Sequence, residues 1–224
     1  MPPPEPEKKP EPEKKPEPGK TISVVLVDDH LLVRRGFRRM LEDDPAIRVV
    51  GEAGDGPEGV ELALRERPNV VVMDFALPSM NGAVATRRIA AGAPEIAVLI
   101  LSMHSEPAYV RNCLDAGARG YLLKNAMDLE LVEAVKNVAA GRPVLDPRVA
   151  LPASSDPLPQ LSARELEVLQ LIVNGKSNKD IAAVLQLSAN TVAVHRANIM
   201  QALDIHNTAE LVVYAIRHGL VSIA

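Results

Sequence analysis

The stretch ISVVLVDDH (22–30) decides the fold. Its first six residues are almost all apolar and mostly β-branched, and two adjacent acids, Asp28 and Asp29, close the run. A strand buried on one face alternates apolar with polar residues, whereas a strand covered on both faces reads as a nearly continuous apolar run. The same design recurs as IRVVGEA (47–53), VVVM (70–73), IAVLIL (96–101) and GYLL (120–123). Between these runs, 30–43, 57–67, 82–92 and 105–117 have helical length and spacing, and 128–140 follows with Leu131, Val132, Val135 and Val138 on one face. Buried strands alternating with helices predict a five-stranded, parallel, doubly wound α/β domain, flavodoxin-like in architecture. Its site belongs beyond the carboxyl ends of the strands, where strand order reverses.

The polar residues at those ends are few and specific. The first run stops at Asp28 and Asp29, the third at Asp74, the fourth at Ser102 and the fifth at Lys124. Three carboxylates converging on one edge repel one another unless a cation joins them. A hard divalent ion with oxygen ligands, Mg²⁺ foremost, resolves that conflict. A lone Asp ending a strand is ordinarily a turn former or a helix cap, but five such residues at four strand ends point to a site. The chain has no G-x-x-x-x-G-K-[ST] and no G-x-S-x-G, so P-loop phosphate binding and serine hydrolysis lack their usual signals.

Composition bounds the remaining choices. The chain has 224 residues, 47% apolar and 24% charged, with 2% aromatics and no Trp, so its cores are aliphatic. A net charge of −4 and a pI near 5.8 argue against coating nucleic acid or anionic membrane by bulk charge. The single cysteine, Cys113, excludes an intramolecular disulfide and fits a reducing cytosol. The apolar runs fall far short of the ~20 residues that span a bilayer, so a cytoplasmic chain with no membrane partner is expected.

Two composition breaks divide the chain. Residues 1–20 carry EPEKKP twice (5–10 and 11–16) and hold 8 of the 19 prolines, which predicts a disordered, polyproline-like tail. Residues 146–160, DPRVALPASSDPLPQ, interrupt every periodicity and predict a linker. The domains are therefore expected at 21–145 and 161–224. The second is purely helical. Ser162 and Glu165 form a capping box before Leu166, Leu169, Ile172 and Val173, and Gly175 ends that helix. Further helices are expected from Ser177, from Ser188 to Leu203 and over 207–218. The stretch 178–200 has helix-turn-helix spacing, with small Ala182 allowing close approach and Ile181, Leu185, Leu187 and Val192 as the wedge.

These residues resemble a known family. VLVDDH (25–30), VVVMDFALPSMNG (70–82), LILSMHS (99–105) and GYLLK (120–124) are similar to the receiver domains of two-component response regulators. LSARELEVLQLIVNGKSNKDIA (161–182), TVAVHRANIM (191–200) and TAELVVYAIRHGLV (208–221) resemble the LuxR-type effector domain, and the pair defines the NarL/FixJ family. The resemblance implies that Asp74 accepts a phosphoryl group from a phosphohistidine of a sensor histidine kinase. It implies that Asp28, Asp29, Asp74 and the Ala76 carbonyl hold Mg²⁺, with Asp28 acting through a water. Lys124 and Ser102 would contact the phosphoryl group, and the Tyr121 ring would swing inward with Ser102 as the switch. Many members carry Pro after the lysine with a cis bond; Asn125 stands here.

The resemblance further implies a transcription regulator that forms a homodimer when phosphorylated and binds double-stranded promoter DNA. The receiver would cover the recognition helix or hold the domains away from productive dimerisation until Asp74 is phosphorylated. By helical geometry Lys179 and Thr191 are candidates for phosphate contact, Asn190, Ala193, Val194 and Ala197 for the base-facing surface, and Arg196 for either. His195 is expected to be partly buried. The family commonly has a basic residue where Ala193 stands, and 161–224 balances five Lys/Arg against five Asp/Glu. That neutrality keeps open an alternative, a receiver acting without phosphorylation as a dimerisation or ligand-sensing module. An enzymatic reading, a Mg²⁺-dependent phosphatase, lacks a second acid to protonate a leaving group; the chain is expected to assist only its own phosphorylation and dephosphorylation.

Overall fold

The computed structural model describes residues 21–125, 128–149 and 161–221. The tail expected over 1–20 and most of the expected linker, 150–160, lie outside the described residues. From the N-terminus run β1 (Ile22–Val27), α1 (Leu31–Glu42), β2 (Ile47–Ala53), α2 (Gly56–Glu66), β3 (Val70–Asp74), α3 (Gly82–Gly92), β4 (Ala97–Ser102), α4 (Pro107–Asp115), β5 (Gly120–Leu123), α5 (Asp128–Ala139) and β6 (Val144–Leu145). The strands pair in parallel in the order β2-β1-β3-β4-β5-β6. The sheet thus has one strand more than the five expected. After α5 the chain turns at Gly141, whose φ of +77° suits glycine, and lays two residues along β5, too few to leave a periodic trace in the sequence.

Alternate strand residues face opposite layers. Val24, Leu26, Val70, Val72, Leu99 and Leu101 pack with Leu41 of α1 and Leu131, Val135 and Val138 of α5. Val25, Val27, Val71, Met73, Val98 and Ile100 pack toward α2, α3 and α4. Both faces are covered, which is why the strands carry no polar alternation. Strand order reverses between β1 and β3, so their carboxyl ends flank the crevice where such sheets bind ligands.

The boundary expected at Asp146 falls inside packed structure. Asp146 is buried; its N–H donates to the Tyr121 carbonyl at 2.9 Å and its Oδ2 accepts from Leu123 N–H at 3.1 Å. Val149 is buried as well. The Asp146 carboxylate is drawn to free main chain at the end of β5.

The second domain contains α6 (Ala163–Val173), α7 (Asn178–Leu185), α8 (Ala189–Ala202) and α9 (Thr208–Arg217). Ser162 with Glu165, and Ser177 with Asp180, form reciprocal capping boxes. Gln186 ends α7 at φ 54°, turning the chain into α8, which Ser188 caps. The α2–α3–α4 side of the receiver core and the effector core form one continuous apolar cluster.

Candidate functional site

Strand register brings the strand-end residues together. Val27 pairs with Met73, Asp74 with Leu101 and Ser102 with Leu123, so Asp28, Asp74, Ser102 and Lys124 lie side by side at one sheet edge. Lys124 Nζ donates to Asp74 Oδ2 at 2.7 Å and to Asp28 Oδ2 at 2.8 Å. Asp74 is 3% exposed, and its Oδ1 accepts from Ala76 N–H at 3.1 Å. Gly82 lets the loop after β3 fold back on itself: a Cβ there would sit 2.4 Å from the Asp74 carbonyl oxygen.

The carboxylates are short of positive charge. Burial pushes the Asp74 carboxyl up to about 6, and the charge of Asp28 adds to that push against the pull of Lys124. Burial opposes the Lys124 charge, but the two carboxylates outweigh it and raise the ammonium above the ordinary lysine range. One ligand atom each from Asp28, Asp29, His30 and Asp74 lies within 4.8 Å of the others. Asp29 Oδ1 is shielded from solvent without a hydrogen bond; His30 Nδ1 is 2.7 Å away but makes none to it. An orphaned carboxylate oxygen beside two crowded carboxylates suits a hard divalent cation. Arg34 braces the edge from α1, donating to the Asp28 carbonyl and pairing with Glu52.

Ser102 Oγ is buried and accepts from His104 N–H at 3.0 Å. The Tyr121 ring is fully buried, and its hydroxyl donates to the His104 carbonyl at 2.7 Å. The inward position expected only after phosphorylation is thus already occupied, because that carbonyl satisfies the hydroxyl while the ring fills the core. The His104 ring stacks on Tyr109, and Phe75 meets both edge-on. His104, Tyr109 and Phe75 were not legible as site residues, although LSMHS and DF adjoin the strand ends that were.

In the effector, Ile181 and Val192 are buried and Leu185 and Leu187 half-buried, as a helix-turn-helix wedge requires. Lys179, Asn190, Ala193, Val194 and Ala197 are exposed, while Thr191 and His195 are half-buried. Thr191 Oγ1 shares a hydrogen bond with Ser188 Oγ at 2.7 Å. Arg196 turns away from the outer face of α8, with Nη1 on Asn178 Oδ1 at 3.2 Å and Nη2 on Thr208 Oγ1 at 2.6 Å. Asn190, Ala193, Val194 and Ala197 are exposed, so the receiver does not cover the outer face of α8 in this arrangement, which differs from the expectation that it would cover the recognition helix.

What the receiver does hold is α6 and the end of α9. Asn81 Nδ2 donates to the Leu220 carbonyl at 2.8 Å, Asn112 Nδ2 to the Gly219 carbonyl at 2.7 Å, and the Tyr109 hydroxyl to the Ile216 carbonyl at 3.2 Å. Gly219, at φ +61°, lies so close to α4 that a Cβ would approach Tyr109 N to 2.7 Å. Glu167 of α6, 2% exposed, binds Arg88 of α3 and, at 2.8 Å, Arg164. Burial, then the neighbouring Arg164 charge, lowers the Arg88 pKa. This seam escaped sequence reading because each residue's partner lies in the other domain.

Among the described residues no helix is long and apolar enough to cross a membrane. Residues 24–136 match the response regulator receiver domain, and 159–215 match the bacterial regulatory proteins of the luxR family. The chain is 36% identical over 214 residues to oxygen regulatory protein NreC of Staphylococcus carnosus (strain TM300), covering 89% of this chain and 99% of that protein. It is similar in structure to the response regulator ChrA of a heme-sensing two-component system, with TM-score 0.52, 37% identity and coverage of 90% and 99% of the two chains. A structure of two RcsB dimers bound to two parallel DNAs matches with TM-score 0.55 and 26% identity over 88% and 98% of the chains.

Proposed function

Because the chain belongs to the NarL/FixJ family of response regulators, a receiver domain joined to a LuxR-type DNA-binding domain, we propose that phosphorylation of Asp74 governs its action as a transcription regulator. The observation that carries this reading is the strand-end cluster: Asp28, Asp29 and Asp74 crowd together, Asp29 Oδ1 is orphaned, and Lys124 bridges two of the acids at 2.7 and 2.8 Å. An Asp74 oxygen attacks phosphorus of a phosphohistidine on a sensor histidine kinase. The P–N bond breaks, the imidazole leaves with the electron pair and takes up a proton, and an aspartyl phosphate remains. Lys124 Nζ moves from the carboxylates to a phosphoryl oxygen, and the buried Ser102 hydroxyl turns to donate to another. Asp28, Asp29, Asp74 and the Ala76 carbonyl would hold Mg²⁺, which supplies charge stabilisation to the transferring group when bound.

The new charge lands one residue from Phe75, whose ring meets Tyr109 and His104, and Tyr109 in turn bonds the end of α9. In this reading phosphorylation loosens the seam at Asn81, Asn112, Tyr109 and Glu167 and frees the effector to pair with a second copy on cytoplasmic promoter DNA. RcsB, seen as DNA-bound dimers, supports that outcome by similarity. The inward Tyr121 favours a second reading, a receiver whose switch is set without phosphate. Intact-mass measurement after incubation with a small-molecule phosphodonor and Mg²⁺ tests Asp74 as acceptor. Wild type should gain one phosphoryl group and Asp74→Ala none; equal gain in both refutes the assignment.

A further inference from the structure

Helix α8 has two unlike faces. Val192 and Ile199 are buried, with His195 and Arg196 half-buried beside them; Asn190, Ala193, Val194 and Ala197, three and four residues apart, form one exposed stripe that Gln201 continues. Val194 keeps 52% of its surface open although nothing polar in its side chain calls for water. Arg196, the one Lys or Arg in 189–202, is held off the stripe by Asn178 and Thr208. The chemistry offered outward is therefore amide and methyl, without guanidinium or ammonium.

Base pairs differ in what they ask of such a surface. Asn and Gln bond bidentately to adenine N6 and N7, methyl groups pack on the thymine C5-methyl, and guanine O6 and N7 call for Arg or Lys. We infer that α8 reads A·T pairs in the major groove, with Asn190 on an adenine and Val194, flanked by Ala193 and Ala197, on thymine methyls. From Asn190 to Ala197 the helix rises about 10 Å, roughly three base-pair steps. The inference deepens the DNA-binding role proposed above and rests on it. It also accounts for a neutral effector: thymine-methyl packing by Val194 and the alanines and amide hydrogen bonds from Asn190 to adenine need no charge, where a basic helix would use guanidinium or ammonium on guanine.

The test is selection from a randomised duplex pool by the full-length chain in the presence of phosphodonor and Mg²⁺, followed by thymine-to-uracil replacement in a selected duplex. A run of about three A·T pairs should be enriched in each half-site. Removing one contacted thymine methyl should weaken binding about fourfold, and Val194→Ala should be insensitive to the same replacement. Val194→Arg, exposed and so tolerated by the fold, should shift preference at that step toward guanine. Guanine enriched under the stripe, binding without base preference, or uracil duplexes bound as tightly as thymine duplexes would each overturn the inference while leaving DNA binding intact. Failure to bind any duplex would instead overturn the DNA-binding reading and the inference with it.

Discussion

Asp74→Asn should make the receiver more stable in the absence of divalent cation, although it removes the residue on which function depends. Burial holds the Asp74 carboxyl at about 6 against 3.8 when unfolded. The native state binds that proton more tightly, so stability is present below about 4 and lost as pH rises to about 6, a cost of about 3 kcal/mol at pH 7. Asparagine escapes the cost but satisfies only one of the two donors that Asp74 satisfies, Lys124 Nζ and Ala76 N–H, which returns about 1 kcal/mol. The net gain of about 1.5–2 kcal/mol corresponds to roughly ten- to thirtyfold slower exchange of the β3 amides at pH 7, corrected for intrinsic rates. The advantage should shrink toward zero near pH ~5, and Mg²⁺ should narrow it by stabilising the wild-type carboxylates. A variant less stable than wild type at pH 7 without Mg²⁺ would refute the claim that crowded, buried charge defines this edge.

At the seam, Arg88→Ala and Glu167→Gln should each raise DNA affinity of the unphosphorylated chain about three- to tenfold, consistent with about 1 kcal/mol for a partly exposed pair, and the double variant should add little; full additivity would contradict a direct contact. Asp146→Asn should destabilise the receiver by about 1–2 kcal/mol at pH 7, discounted because Arg148 is 43% exposed. The Arg148 hydrogen bond holds Asp146 down to about 2, so this difference should persist above pH ~4 and vanish as pH falls toward ~2 in acid titrations followed by circular dichroism. The neutral effector predicts a shallow salt dependence of DNA binding; a log–log slope steeper than about −7 for the dimer, equal to about eight phosphates, would contradict it.

The sheet and its site were legible because burial on both faces removes polar residues from the strands and leaves Asp28, Asp29, Asp74, Ser102 and Lys124 conspicuous at their ends. The capping box at Ser162 and the helix start at Ser177 were legible because they are local. Long-range partners were not. Glu167 sits between Leu166 and Val168, and nothing in that local sequence names its partner, Arg88 of the other domain. Asn81 caps α3, but its second bond goes to a carbonyl 139 residues away. Asp146 reads as linker because Pro147 follows it, while its carboxylate caps main chain of β5. The Tyr121 position was legible, its rotamer was not, and Arg196 could be placed on α8 but not turned toward Asn178 and Thr208.

The central claim is that charge on Asp74 controls DNA binding, and the most direct measurement is DNA affinity of wild type and Asp74→Ala, each with and without phosphodonor and Mg²⁺. The account predicts tighter binding on phosphodonor for wild type alone. Equal affinity under both conditions in wild type, or the same gain in Asp74→Ala, would contradict it.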